Sequence, residues 1–378
     1  MERVKLKDIA TYINGKAFKP SEWVESGLPI IRIQNLNNPS KEYNYYDKDV
    51  DVKYIIENGD ILISWSATLD IFEWKREKAL LNQHIFKVVF DKDIDLDKNY
   101  FKLAISSVLH DMERFTHGST MKHIVKKDFE NIEIPLPPLP KQKAIAQKLD
   151  LARKLIELRK ESITKLEVLA RSVFVEMFGD PVENPKKYKA YLLDELTHRV
   201  TDGEHQTPKR TDKGTLLLSA RNIQQGYIDI YNEKVDYIGE DEVIRIHRRL
   251  KIEKNDILLS CSGTIGRVSL NTLNQDFCLV RSVAVIKSNE DMIIPKFLVE
   301  YLQTNFMQTN MKMQANAAGQ PNLFQKQIKK LKIYLPPITL QNKFAQTIQK
   351  IEAQKTLYKA ELVKLEESFE GLLQESFG

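Results

Sequence analysis

Asp60, Glu73 and Lys75 come nearest in this chain to a reacting constellation, since two carboxylates and a lysine can hold a divalent metal over a phosphodiester. The second half does not repeat the pattern: Asp256 is followed by Arg267 but by no acidic-x-lysine. Glu73 and Lys75 therefore read as a solvated pair at a strand end. The chain has no G-x-x-x-x-G-K-[ST] phosphate loop, no G-x-G-x-x-G after a strand and no H-E-x-x-H. The glycine-rich loop and Asn/Asp-Pro-Pro-aromatic tetrad of an amino-methyltransferase are also missing. His84, His117 and His123 lack ligand spacing to any cysteine or carboxylate, so no metal site is expected. Cys261 and Cys278, the only cysteines, read as buried reduced thiols. These residues argue for binding without catalysis.

Residues suited to binding recur in pairs. Asn14-Gly-Lys-Ala-Phe-Lys19 and Asp202-Gly-Glu-His-Gln-Thr-Pro-Lys-Arg210 hold matching places in the two halves. Lys16, Lys19, Lys209 and Arg210 are the phosphate candidates there. Arg32, Gln34 and Asn35 answer Arg221, Asn222 and Gln224, a mixture suited to base edges: amides for adenine, arginine for guanine. A third pair sets Asn82-Gln83-His84 against Arg281-Ser282; Gln83 is a base-reading candidate, and a shared contact is doubtful because the second half has no amides there. The fourth sets His117-Gly-Ser-Thr-Met-Lys122-His123, with Lys122 as a phosphate candidate, against Asn316–Asn322. Gly263-Thr-Ile-Gly-Arg267 could wrap a phosphate with backbone amides beside Arg267, and is equally a plain tight turn. Any one loop could be an ordinary polar turn. Four matched loops in two copies point to a doubled recognition surface.

The elements that position these loops are also duplicated. Pro135, Pro137, Pro138 and Pro140 stop whatever precedes them, and no Pro or Gly follows until Gly179. Apolar residues then recur at Ile145, Leu149, Ala152, Ile156, Ile163, Leu166, Ala170, Val173 and Met177, with Arg159 in the missing slot: a heptad seam. Lys141–Phe178 is 38 residues, or roughly 57 Å of helix. Adding 199 to each position of 134–179 gives 333–378 without a gap, and 15 of 46 pairs are identical. That second seam runs Phe344, Ile348, Ile351, Tyr358, Leu362, Leu365, Phe369 and Leu372, with Lys355 as its polar break.

The blocks before the two helices share a plan. Leu28–Ile33, Asp60–Trp65 and Ile85–Phe90 read as strands and Asn99–Phe115 as a helix. Gly214–Ile223, Asn255–Thr264 and Pro295–Met311 answer Gly27–Leu36, Gly59–Thr68 and the helix in the second block. The expected organisation is a recognition domain over 1–133, a helical spacer over 134–180, a second domain over 181–332 and a second spacer over 333–378. The fold class is α+β, with mixed domains and two long antiparallel helices. Antiparallel pairing would put each domain at an opposite end of one rod and so give unlike half-sites a fixed spacing. A net charge of +5, from 57 Lys+Arg and 52 Asp+Glu, permits a polyanionic partner. No apolar run suggests a membrane span, and MERVKLKDIA has no signal core, so the expectation is cytoplasmic.

The whole chain resembles the DNA-specificity subunits of type I restriction–modification systems. The resemblance is carried by the PLPP-x-x-x-Q and LPP-x-x-x-Q entries at Pro137 and Pro336, and by Phe178-Gly179-Asp180-Pro181. Gly59-Asp-Ile-Leu-Ile-Ser, Asn255-Asp-Ile-Leu-Leu-Ser and Leu81-Asn-Gln-His-Ile-Phe add to it. It implies a non-catalytic subunit whose two target-recognition domains each read one half of a split, asymmetric site on double-stranded DNA. Two modification subunits, docked on the helices, would bring S-adenosylmethionine and adenine-N6 methylation. Restriction subunits would bring ATP- and Mg-dependent translocation and cleavage, leaving this chain without a cofactor. The alternative from the residues alone is a duplicated protein-binding adaptor with a coiled-coil spacer.

Overall fold

A computed structural model describes residues 2–66, 68–115, 125–231, 235–316 and 321–378. The chain divides into two compact units, Met1–Lys160 with Ala360–Gly378, and Glu161–Lys359. The division runs through the long helices instead of at their ends, because each unit buries part of both.

The first unit holds two four-stranded sheets. One is antiparallel, in the order Thr11–Asn14, Ile85–Val89, Ile61–Ser66, Thr68–Glu73. The other runs Asn44–Tyr46, Leu28–Ile31, Ala79–Leu81, Ile55–Ile56, with its central pair parallel. Arg3–Lys5 pairs with Glu133–Pro135, tying the chain start to the segment just before the first long helix. The second unit repeats the antiparallel sheet as Thr197–Asp202, Val283–Ser288, Ile257–Ser260, Val268–Leu270. Its mixed sheet is Arg210–Thr211, Asp236–Ile238, Thr215–Leu218, Phe277–Leu279. The extra edge strand lies on opposite sides of the two mixed sheets. The second unit also gains a helix, Glu240–Arg249, with acids in its first turn and bases in its last, as the helix dipole favours.

The recurring Asp-Ile-Leu-x-Ser phrase is a turn-and-strand device. Asp60 Oδ2 accepts the Glu57 N–H at 2.7 Å and meets Lys87 Nζ at 2.8 Å. Asp256 Oδ2 accepts the Glu253 N–H at 2.7 Å and meets Lys287 Nζ at 2.8 Å. Ser64 and Ser260 each hydrogen-bond backbone across the hairpin that follows. Asp60 thus braces its own turn, and Glu73 pairs with Lys102 at 2.6 Å in place of the expected Lys75.

The long helices span Leu139–Phe178 and Ile338–Phe377, 40 residues each. Their proline–glutamine entries are locks. Gln142 accepts the Asp97 N–H at 2.8 Å and donates to Asp95 O and Pro137 O; Gln341 does the same with Ile294, Met292 and Pro336. Both glutamines are fully buried with both ends of the amide satisfied. The helices run antiparallel in each unit: Lys148 meets Glu375 and Arg159 meets Glu361 in the first, and Glu167 meets Lys355 in the second. The polar breaks of the two seams are therefore ion-paired across the helices. Phe174, Phe178, Phe297 and Phe344 form an aromatic cluster in the core of the second unit, with centroids 4.9–6.2 Å apart. In the first unit Phe377 packs on Tyr100 at 5.4 Å. Among the described residues, no helix is long and apolar enough to cross a membrane.

Candidate nucleic-acid interface

In both units the first matched loop meets the tight turn that joins the two sheets, residues 82–84 and 280–282. Gly15 and Gly203 pass directly beneath it. A Cβ on Gly15 would lie 2.0 Å from Asn82 O, and one on Gly203 would lie 2.4 Å from Leu279 O and Val280 O, so only glycine allows the approach. Three pairs of backbone bonds then hold the turn. Gly15 N–H donates to Ile85 O at 3.1 Å and Gly203 N–H to Val283 O at 3.0 Å. Gln83 N–H donates to Lys16 O and Arg281 N–H to Glu204 O, both at 2.9 Å. Trp65 N–H donates to His84 O at 3.2 Å, and Cys261 N–H to Ser282 O at 2.8 Å. Gln83 and Arg281 are therefore equivalent positions, both with exposed side chains. The side chains differ, as the sequence shows, while the backbone that presents them is shared.

Two base-reading candidates turn out to be internal. Asn35 accepts the Arg32 N–H at 3.2 Å and donates to Glu42 O at 3.1 Å; Asn222 accepts the Ser219 N–H at 3.0 Å and donates to Asp229 O at 3.2 Å. Both are buried, and each closes its own turn, so neither reaches a base. The same equivalence places Arg221 opposite Gln34, not opposite Arg32. Gln34 is exposed, whereas Gln224 donates to Arg221 O at 2.8 Å. Arg32 is half-buried, its guanidinium 5.7 Å above the Trp23 ring.

The cations divide by their partners. Arg210 and Arg221 converge on Asp236 Oδ2, at 3.0 and 2.9 Å, so two charges share one carboxylate. Lys16 Nζ lies 5.1 Å over Tyr46 and 5.3 Å over Phe18, a cation–π seat that holds it close to the surface. Lys19 and Lys209 are exposed; their backbone N–H groups are bonded by Glu22 and Glu242, and among the described residues neither ammonium has an ion pair. Arg267 is half-buried on the glycine loop, its backbone N–H bonded to Ser260 Oγ at 2.9 Å. Lys122, His117 and His123 lie outside the described residues. Burial pushes the Cys261 and Cys278 thiols up to about 12, so both are inert at neutral pH. Among the described residues no cluster could hold a metal ion.

Beside the turn the units diverge. Trp65 stacks on Phe86 at 5.6 Å, Phe86 lies 5.4 Å from Phe129, and Trp65 Nε1 donates to Asn14 Oδ1 at 3.2 Å. The equivalent residues of the second unit are Cys261, Ala284, Ile328 and Asp202, and they line a cleft of about 240 Å³. Arg281, Asn322 and Lys326 stand at that cleft; the first two lie in matched loops of the sequence without having been singled out as contact residues, and Lys326 lies in none. Arg281 belongs to the loop already matched to Asn82-Gln83-His84 in the sequence, and the shared backbone bonds place it opposite Gln83.

The geometry has counterparts among known proteins. A family model described as the type I restriction modification DNA specificity domain matches residues 1–168 and 209–367. The specificity subunit of the type I restriction enzyme EcoBI from Escherichia coli is 26% identical over 380 residues, covering 93% of this chain and 79% of the relative. The MjaVIII specificity subunit from Methanocaldococcus jannaschii is 24% identical over 374 residues, covering 93% and 86%. Among solved structures, the type I restriction-modification S subunit of M. genitalium superposes with a TM-score of 0.58 at 16% identity, over 100% of this chain and 96% of that one. A chain from a structural study of complex assembly and conformational transition in a type I system gives 0.61 at 16% identity, over 99% and 97%. At such identities the likeness establishes the fold, while the family model covers most of both halves. The chain belongs to the type I restriction–modification DNA-specificity family.

Proposed function

We propose that this chain is the DNA-reading, non-catalytic subunit of a type I restriction–modification complex. Each unit reads one half of a split, asymmetric site in double-stranded DNA, and the continuous helices set the number of unread base pairs between the halves. Two modification subunits dock on the helices and bring S-adenosylmethionine for adenine-N6 methylation. Restriction subunits bring ATP- and Mg-dependent translocation and cleavage. The observation that carries this reading is the duplicated turn: two equivalent, backbone-clamped positions present unlike side chains, as two unlike half-sites require.

Affinity on this reading comes from cations without an ion pair among the described residues, such as Lys19, Lys209 and Arg267, and sequence choice from side chains on the clamped turns. The test is binding of the chain, assembled with its modification partner, to long DNA across a salt series. Retention should fall with a log–log slope of about −0.9 per phosphate contact. The chain alone should bind no S-adenosylmethionine. Salt-independent retention would instead favour the protein-binding adaptor.

A further inference from the structure

Gln83 and Arg281 sit on the same turn, aligned by the same three backbone bonds, yet they carry opposite hydrogen-bonding characters. A glutamine amide offers one donor and one acceptor, the pattern that matches adenine N7 and N6 in the major groove. An arginine guanidinium offers only donors, the pattern that matches guanine N7 and O6. We infer that this turn is a one-residue specificity position in each unit, with Gln83 reading an adenine in one half-site and Arg281 a guanine in the other. The inference rests on the DNA-reading function proposed above and adds the purine each unit selects.

Three observations support it. First, the turn is tied to its neighbours in each unit: Trp65 N–H bonds to His84 O in the first, and Cys261 N–H to Ser282 O with Ala220 N–H to Ser282 Oγ at 3.0 Å in the second. A reader held on a fixed backbone loses little freedom on binding. Second, Arg281 is exposed and has no ion pair among the described residues, unlike Arg210 and Arg221, which share Asp236. Its five donors are left for a ligand. Third, the turn joins the two sheets in both units, Leu81 to Ile85 and Leu279 to Val283, so one geometry serves both readers.

The test is to exchange the two residues in the chain co-expressed with its modification partner, and to map methylated adenines across the genome. Wild-type methylation at a two-part site would establish the reading function independently of the exchange. Arg281→Gln should then shift one guanine of one half-site to adenine, with discrimination changing about 5- to 150-fold and the other half-site untouched. Gln83→Arg should do the reverse in the other half. Arg281→Lys keeps the charge but loses the bidentate fork, so it should relax that guanine without abolishing methylation; it also answers the question if the glutamine variant does not assemble. An unchanged consensus in these variants, or an equal loss at every site, would overturn the inference while leaving the proposed function standing.

Discussion

The two units differ directly beside their equivalent turns, where the backbone is shared. In the first, Trp65, Phe86 and Phe129 fill the space with three rings; in the second, Cys261, Ala284 and Ile328 leave a cleft. The glycine crossing and the backbone bonds around it are nonetheless the same. A duplicated binder can thus keep its backbone and change its chemistry, provided that the groups fixing the loops are main-chain atoms. Main-chain bonds place no demand on side-chain identity, so the exposed residues can diverge without disturbing the scaffold.

Exchanging volume across the two units tests this contrast most severely. Phe86→Ala empties a packed aromatic site and should destabilise the protein by about 3–5 kcal/mol in urea denaturation. Ala284→Phe adds a ring to a buried position, which in a filled core costs about 1–3 kcal/mol. Here the ring has the cleft to enter, and the expected cost is at the lower end. Equal losses for the two variants would mean that the cleft is not usable space.

A likeness sharpens the comparison next. Asn35→Ala and Asn222→Ala each leave buried backbone groups unpaired, and each should cost about 1–3 kcal/mol. Both should lower methylation without altering the consensus, since neither side chain reaches solvent. A consensus change in either variant would restore it as a base reader.

Lys209→Gln should weaken binding to any DNA sequence and reduce the salt slope by about 0.9. Arg210→Gln should have less effect, because Asp236 already offsets that charge.

The smallest effect concerns the helices. The Lys355 ammonium, hydrogen-bonded to Glu167, holds that carboxyl below its ordinary value of 4.5. Because the folded value is depressed, the pair stabilises the protein above that pH and the contribution fades as pH falls through the depressed value. Both groups are partly exposed, so the loss should stay under about 1 kcal/mol, read as the difference between wild type and Glu167→Gln at neutral and acidic pH.

Much of the architecture could be read from the chain alone. The helices were legible because a heptad seam over 40 residues has no competing explanation, and the +199 repeat fixed their equivalence. The sheets were not, since strands of two to six residues pair over long sequence distances and carry little periodicity. Among site residues, Asn35 and Asn222 were misjudged because an amide that closes a buried turn looks identical in sequence to one that reads a base. Arg281 was not singled out although its loop was matched to that of Gln83, because a drifting alignment offset leaves the residue-by-residue pairing open and only the backbone bonds fix it.

The central claim is that one chain carries two equivalent but unlike DNA readers. Sequencing the methylated adenines in cells that express this chain with its modification partner tests it most directly. The account predicts a single asymmetric motif of two short, different half-sites separated by a fixed run of unspecified bases. A continuous or palindromic motif, or methylation unaffected by deleting this chain, would contradict it.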